Sequence, residues 1–442
     1  MKKIRIILSV VACKLLIFAG KLAGKKGSYT PGVIAMKIYP DILRHISSQV
    51  KGEIIFVCGT NGKTTTNNLL CSLLEGSGKK VVCNKVGANM LAGVAVAFIE
   101  KANIFGGLDA DFASIECDEA SLRHAVKHVR ADKIVITNLF RDQLDRYGEI
   151  DDTVALLNEA IEKTENAVLV LNGDDPVCAQ FGVGRRAIYY GVNEDCHSDN
   201  TDSNEGKFCA LCGAPLDYKF RHYSQLGNWS CSGCDFSRPE LDYSATAIDL
   251  DGKMAFDINE KVHLDLNYRG FYNIYNVLAS YSAFDSVKIN ADVNKILSAY
   301  KPQIGRMEAF NVDGKQVILN LAKNPAGFNQ AIATVKADSR KKDVLVAVND
   351  CPSDGTDISW LWDVEFEKLK EANVESIYAS GERRLDTALR LKYSGFDSVE
   401  VTNITRESIA NMAKGSGEVL YLLVNYTVLF ETQNILKTIS KD

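Results

Sequence analysis

From residue 53 onward, short β-branched apolar runs alternate with longer stretches that suit helices. The runs are Ile54-Ile55-Phe56-Val57, Phe112-Ala113-Ser114-Ile115, Lys133-Ile134-Val135-Ile136 and Ala167-Val168-Leu169-Val170-Leu171. That rhythm predicts a mostly parallel, doubly wound α/β sheet. Between residues 193 and 240 it breaks: polar, cysteine-bearing sequence from Asn193-Glu194-Asp195 through Asn204-Glu205-Gly206 reads as an insertion. A second α/β rhythm follows Arg306, with strands expected near Val317-Ile318-Leu319, Val344 to Val348, Ser376-Ile377-Tyr378 and Val419 to Leu423. A domain boundary is expected close to residue 305, with no internal repeat and no low-complexity tract.

Ahead of this relay, Lys2, Lys3 and Arg5 followed by Ile6 to Ala12 imitate the opening of a signal peptide, but Lys14 interrupts the apolar run. On a helix advancing about 100° per residue, Lys3, Lys14, Lys21 and Lys25 share one face and apolar residues fill the other. Such a helix is too interrupted to span a bilayer. Packing on the following domain is the plainer reading, and peripheral contact with a membrane surface is the alternative. The expected organisation is a helical segment over residues 1–45, an α/β domain over 46–305 with an insertion at 205–238, and a second α/β domain over 306–442.

Composition narrows the function classes. A chain of 442 residues with 46% hydrophobic content can bury large cores, which excludes general disorder. Its net charge of -5 arises from nearly balanced acids and bases and gives no reason to expect a nucleic-acid partner. The 12 cysteines mostly sit singly in apolar contexts such as Val57-Cys58, which points to a reducing, cytoplasmic compartment.

Candidate chemistry begins at Gly59-Thr60-Asn61-Gly62-Lys63-Thr64-Thr65, where a buried strand meets a glycine turn that opens a helix. Glycines let backbone amides approach a phosphate, and the helix N-terminus favours an anion. The spacing differs from the general Walker pattern, whose first glycine would fall at Val57. ATP is the expected ligand, with Lys63 on the outer phosphates and the Thr64 hydroxyl on magnesium. The second strand ends in Ile115-Glu116-Cys117-Asp118-Glu119, which places Glu116 as a further magnesium ligand at the same sheet edge. The third ends in a polar cluster, Thr137-Asn138-Leu139-Phe140-Arg141-Asp142-Gln143-Leu144-Asp145-Arg146-Tyr147-Gly148.

Two cysteine knuckles lie in the insertion, Cys209-x-x-Cys212 and Cys231-x-x-Cys234. Four thiolates at this spacing fill a tetrahedral zinc shell and leave no open position, so the expected role is structural. A disulfide pair is the competing reading, and a reducing compartment disfavours it. Cys196 and His197 read as bystanders. In the second domain, Asn349 to Trp360 concentrates Asp350, Asp354 and Asp357 after an apolar strand, and Trp360 and Trp362 offer large apolar area for an interface.

These segments together resemble the Mur ligase and folylpolyglutamate synthetase superfamily. The resemblance rests on Gly59 to Thr65, Thr137 to Gly148, Asn172-Gly173-Asp174-Asp175-Pro176, Asn273-Ile274-Tyr275-Asn276, Gly305-Arg306-Met307-Glu308 and Asn320 to Gly327, in that order. It implies that Asn276 contacts the adenine and Arg306 the phosphate or ribose. Gln143 stands where many members carry a metal-binding histidine, and Asn320 and Lys323 depart from the usual motif. Only some fifty residues precede the phosphate loop, without room for a uridine-nucleotide domain.

With its zinc knuckles and its Asp357 loop, the chain is similar within that superfamily to the ligase subunits of lipid II isoglutaminyl synthases. That similarity implies ATP-dependent amidation of the D-glutamate α-carboxylate of the peptidoglycan stem peptide, through an acyl phosphate. A GatD-like glutamine amidotransferase subunit would supply ammonia, with Asp357 completing its Cys-His pair. The competing expectations are a folylpolyglutamate synthetase or other amino-acid-adding ligase, and a scaffold that binds ATP without turnover.

Overall fold

The computed structural model describes residues 2–22, 29–84, 88–141, 150–164, 166–196, 206–250, 253–267, 270–300 and 305–440. The chain forms two compact units, one comprising Met1–Leu139, Ile150–Asn267 and Phe271–Tyr300, the other consisting mainly of Lys301–Asp442.

In the first unit, helices α1 (Lys2–Leu22), α2 (Tyr29–Ile38) and α3 (Ile42–Ser47) precede strand β1 (Ile54–Cys58), all five of whose residues are buried. Then come α4 (Lys63–Gly76), β2 (Val81–Cys83), α5 (Leu91–Lys101), β3 (Phe112–Glu116), α6 (Glu119–Ala125) and β4 (Lys133–Ile136). The series continues with α7 (Ile150–Glu162), β5 (Val168–Asn172), α8 (Pro176–Ala179) and β6 (Ala187–Val192). Their strands pair in parallel in the order β2-β3-β1-β4-β5-β6. β1 is therefore flanked by β3 and β4, and the chain leaves β1 toward β2 on one side but leaves β4 toward β5 on the other. A crevice for a ligand opens at the carboxyl ends of strands at such a switch point. Register sets the neighbours there: Val57 lies opposite Glu116 on one side and Val135 on the other.

The insertion folds as an antiparallel hairpin, β7 (Leu216–Tyr223) with β8 (Leu226–Cys231). The sheet then gains three strands that the apolar rhythm did not predict: β9 (Tyr243–Asp249), β10 (Met254–Ile258) and β11 (Val262–Leu266). β9 runs parallel to β6, and β10 and β11 form an antiparallel meander. Helix α9 (Tyr272–Asp285), buried from Asn273 to Phe284, packs on α4, and α10 (Val293–Ser298) follows.

The second unit comprises β12 (Glu308–Val312), β13 (Lys315–Leu321), α11 (Pro325–Ala337), β14 (Lys342–Ala347), β15 (Val374–Ser380), α12 (Arg384–Tyr393), β16 (Glu400–Val401), α13 (Arg406–Ala413), β17 (Val419–Val424) and α14 (Tyr426–Ile439). Five of its six strands are parallel, and β12 is an antiparallel edge. The Asn-Pro-Ala-Gly segment starts α11: the Asn324 side chain accepts from Gly327 N at 2.8 Å, and Pro325 occupies the first turn, where no amide is needed.

Candidate active site

The turn after β1 cannot be built from residues other than glycine at two points. Gly59 has φ +120°, and a Cβ there would lie 2.3 Å from Thr137 Oγ1 and 2.8 Å from the Asn138 carbonyl. Gly62 has φ +83°, and a Cβ would lie 2.1 Å from Asn276 Oδ1. The first contact belongs to the end of β4, which grips the loop. Thr60 N donates to Asn138 O at 2.8 Å, Asn61 N to Asn138 Oδ1 at 2.9 Å, and Thr137 Oγ1 to Asn61 O at 2.7 Å. The second contact places Asn276 of α9 against the loop, where its Nδ2 donates to Asn273 Oδ1 at 3.0 Å. Gly62, at the N-cap of the 14-residue α4, has no side chain to cap that helix. A glycine-lined turn feeding an uncapped helix start is a cradle for an anion, with Lys63, Thr64 and Thr65 in its first turn.

The Lys63 ammonium sits 2.9 Å from Glu119 Oε1 and also donates to the Gly59 carbonyl. That same Glu119 oxygen accepts from Gly59 N at 2.7 Å. Burial pulls the Lys63 pKa down, but attraction from Glu119, Asp118 and Glu116 outweighs it and holds the pKa above the ordinary lysine value. Glu119 was not singled out from the sequence, although it closes the acidic run quoted above. Its position in the first turn of α6 turns it toward the loop, while Asp118 caps that helix by accepting from Ala120 N and Ser121 N.

Glu116 is buried at the end of β3. Asn84 clamps its backbone, accepting from Glu116 N at 2.8 Å and donating to its carbonyl at 2.7 Å. Asn89 Nδ2 lies 3.5 Å from its Oε1. A buried carboxylate on a strand adjoining a phosphate cradle, with a threonine hydroxyl in that cradle, is an oxygen donor set suited to magnesium. Gln143 lies outside the described residues.

The Asn172-Gly173-Asp174-Asp175-Pro176 turn follows β5 and is joined to the inserted hairpin. Asp175 accepts from Leu139 N at 2.9 Å and Val177 N at 2.9 Å, so it ties the end of β4 to the start of α8. From the hairpin tip, Gln225 Nε2 donates to Leu139 O at 2.6 Å and to Asp175 Oδ1 at 3.2 Å. Trp229, a fully buried side chain, donates to Gly173 O at 3.2 Å. Asp174 receives Arg238 Nε at 2.7 Å, Tyr275 OH at 2.7 Å and Val192 N at 2.8 Å. Neither Gln225 nor Arg238 carried a signal in the sequence, because both act through contacts to segments distant in the chain.

At the far end of the hairpin, the sulfurs of Cys209, Cys212, Cys231 and Cys234 all lie within 4.8 Å of one another. Cys209 to Cys234 is 3.7 Å and Cys212 to Cys231 is 3.4 Å. Tetrahedral zinc with bonds of about 2.3 Å needs sulfurs about 3.8 Å apart, so the residues fit the metal, and no disulfide joins them. Burial raises the Cys231 thiol, but the Gly233 N–H and the neighbouring thiols donate to it and bring it down to about 7. Cys196 is not in the cluster; its sulfur lies 3.6 Å from Glu194 O. His197 falls outside the described residues.

In the second unit, the three aspartates after β14 have separated roles. Asp350 is paired with Arg383 at 2.7 Å. Asp354 is buried and accepts from Thr427 N at 2.9 Å. Asp357 is only half-buried, and Ser359 N at 2.8 Å and Ser359 Oγ at 3.0 Å hold its carboxylate. Trp360 packs on Phe328, whereas Trp362 is 54% exposed and meets Tyr393, 72% exposed, edge-on at 5.6 Å. Leu385 and Leu389 lie one helical turn apart on α12 in line with Tyr393, and both are exposed. Burial and a bond to Glu382 at 3.5 Å push the Cys351 thiol up, which keeps it from being a thiolate nucleophile. Arg306 is half-buried at the start of this unit, two residues before β12.

The Mur ligase middle domain family matches residues 57–213, and the MurT ligase C-terminal family matches residues 321–429. The chain is 36% identical over 399 residues to the lipid II isoglutaminyl synthase (glutamine-hydrolyzing) subunit MurT of Staphylococcus aureus, covering 90% of this chain and 89% of that one. The subunit of the same name in Streptococcus pneumoniae is 32% identical over 421 residues, covering 93% and 92%. Among solved structures, a pseudomurein peptide ligase type C from Methanothermus fervidus aligns with TM-score 0.72 at 22% identity, over 91% of this chain and 81% of that chain, and so shares the fold. Similarity of this extent and order shows that the chain belongs to the MurT family of Mur ligase-fold proteins.

Proposed function

We propose that this chain is the ligase subunit of a lipid II isoglutaminyl synthase and amidates the D-glutamate α-carboxylate of the peptidoglycan stem peptide. One observation carries the reading: a likeness to named relatives over 90% of the chain, with family matches over 57–213 and 321–429 that take in the glycine turn and the Asp357 loop. A carboxylate is a poor electrophile. Its oxygen attacks the γ-phosphorus of ATP, ADP leaves, and the resulting acyl phosphate is attacked by ammonia, which expels phosphate and loses a proton.

ATP binds along Gly59 to Thr65, with Lys63 neutralising the outer phosphates, Thr64 and Glu116 holding magnesium, and Asn138 fixing the loop. Asn276 and Arg306 hold the adenine and the ribose or phosphate. Zinc in the Cys209, Cys212, Cys231 and Cys234 shell is structural. Ammonia comes from a GatD-like glutaminase subunit docked on the Trp362, Leu385, Leu389 and Tyr393 patch of the second unit, with Asp357 of the same unit orienting the partner's catalytic histidine. The central ligase domain spans 46–305 and the partner-binding domain 306–442. The work is cytoplasmic, where ATP is available.

The test is reconstitution with lipid II, ATP, magnesium and either glutamine plus the partner or ammonium salt alone. Mass spectrometry should find amide in place of acid at D-glutamate. ATP turnover that depends on added glutamate, with an amino acid joined to the product, would overturn the reading.

A further inference from the structure

Helix α1 is bound to the first unit by one face only. Ile6, Val10 and Cys13 are buried, Ser9 Oγ donates to Ala35 O at 2.8 Å, and Arg5 donates to Ile38 O at 2.8 and 3.0 Å. Lys14 reaches the Glu100 carbonyl at 3.0 Å. The opposite face carries Ile4, Leu8, Val11, Leu15, Phe18 and Leu22, which fall within an arc of about 80° at helical spacing. Five of these six are between 53% and 75% exposed. Isolated exposed apolar residues need no explanation, but a stripe running the length of a 21-residue helix does.

Charge decides what covers it. Before Asp41 the chain carries eight basic side chains and no acidic one, within a protein of net charge -5. Lys2, Lys3, Arg5 and Lys21 of α1 are exposed. The stripe has the alternating three- and four-residue spacing of a coiled-coil seam, so a second copy is the obvious rival. Its flanking positions, however, hold Arg5, Lys14 and Lys21 on a helix that carries no acid of its own; Glu100 of α5 lies 3.6 Å from Lys21, but a helix paired with itself would still oppose like charges. No helix among the described residues is long and apolar enough to cross a membrane. An apolar stripe edged with lysine and arginine on a helix that cannot span is the form that lies in the interface of an anionic bilayer.

We infer that α1 docks this chain on an anionic lipid surface, with Ile4, Leu8, Leu15, Phe18 and Leu22 entering the acyl boundary and the basic residues meeting the headgroups. Because α1 is fastened to α2 and α5, docking fixes the orientation of the whole first unit rather than tethering it. The inference goes beyond the amidation reading and does not depend on it.

The experiment is flotation of the full chain with phosphatidylcholine vesicles, with and without phosphatidylglycerol. Binding is expected to the anionic vesicles and to weaken with salt. Leu15→Glu with Phe18→Glu should lower partitioning by about tenfold or more without moving the unfolding temperature, since neither side chain is in the core. Lys2→Gln with Lys3→Gln should cost about fivefold per charge removed, on anionic vesicles only. Absence of flotation with anionic vesicles, or unchanged flotation of the double glutamate variant, would overturn the inference. So would a dimer in analytical ultracentrifugation that the glutamates dissolve. Lipid II amidation by a chain that fails to float would leave the proposed reaction standing and remove only this surface.

Discussion

Lys63 and Glu119 form an ion pair at 2.9 Å in which both side chains are nearly buried, and the same carboxylate oxygen accepts the Gly59 amide. The Lys63 ammonium is thus held by a carboxylate of its own domain. On the proposed reading, in which Lys63 takes the outer phosphates, ATP exchanges one anionic partner for another. Glu119→Gln should therefore lower the stability of the nucleotide-free chain by about 3 kcal/mol, because a buried ammonium loses its counter-charge. ATP-magnesium should restore more of the unfolding temperature than in the parent chain. Equal ATP-induced shifts in the two proteins would show that the pair does not compete with phosphate.

Lys63→Ala and Glu116→Ala should each abolish amidation while leaving the fold recognisable by circular dichroism. The expected loss is about 10²–10³-fold in kcat for the lysine, as for removal of a preorganised charge. Near-normal turnover of either variant at saturating ATP and magnesium would remove that residue from the site.

The hairpin joins the four-cysteine cluster to the turn after β5 and the end of β4, so on the proposed reading it couples metal to nucleotide. Cys231→Ser should bring zinc below one per chain and weaken ATP binding as well, since Gln225 and Trp229 hold Leu139, Gly173 and Asp175. Gln225→Ala should reproduce the weaker ATP binding with zinc retained, at a stability cost of about 1–2 kcal/mol for the unmade bonds. Elemental analysis and ATP titration on both variants separate metal loss from hairpin loss.

Asp357→Asn should suppress glutamine-driven amidation and spare the ammonium-driven reaction, because the role proposed for its carboxylate lies in glutamine hydrolysis and not in ATP chemistry. Trp362→Ala should weaken association with the glutaminase subunit in sedimentation, with ammonium-driven turnover again spared. Equal loss with both nitrogen sources would place Asp357 in the ligase chemistry or the fold.

His222 supplies a pH dependence. Burial among the Phe220 and Phe271 rings, at 5.1 and 5.2 Å, holds its pKa below the ordinary value. The unfolded chain takes up the proton at about pH 6.5, before the folded one does. The stability this histidine preserves is present above that pH and is lost as pH falls toward the depressed folded value. Unfolding temperatures between pH 7.5 and 5 (chosen to bracket about 6.5) should fall less steeply for His222→Phe.

Legibility from sequence followed the range of the contacts. The glycine turn before α4 and the clustering of the four cysteines are local signals, readable because one turn or knuckle fixes the geometry. Strands such as Ile54–Cys58 were readable because burial on both faces makes them apolar throughout. The meander was missed although Met254-Ala255-Phe256-Asp257-Ile258 alternates buried and half-buried positions. A search for continuous apolar runs overlooks such alternation. Glu119 was passed over for its neighbour Glu116, since only the helix turn shows which acid faces Lys63. Gln225 and Arg238 matter through partners across the fold, and no spacing rule reaches that far.

The seating of the hairpin tip on the Asp174-Asp175 turn has a consequence for how the chain is made. When the ribosome has released Asp175, the residues that complete its surroundings, Gln225 and Trp229, are still unsynthesised, as are Arg238 and Tyr275, which serve Asp174. Contacts of such sequence separation form late and slowly. Two carboxylates destined for full burial therefore wait in water until the four-cysteine hairpin arrives. If that hairpin takes up zinc as proposed, zinc supply sets when the first unit closes during biosynthesis, and a newly made chain starved of the metal is exposed to proteolysis at its centre.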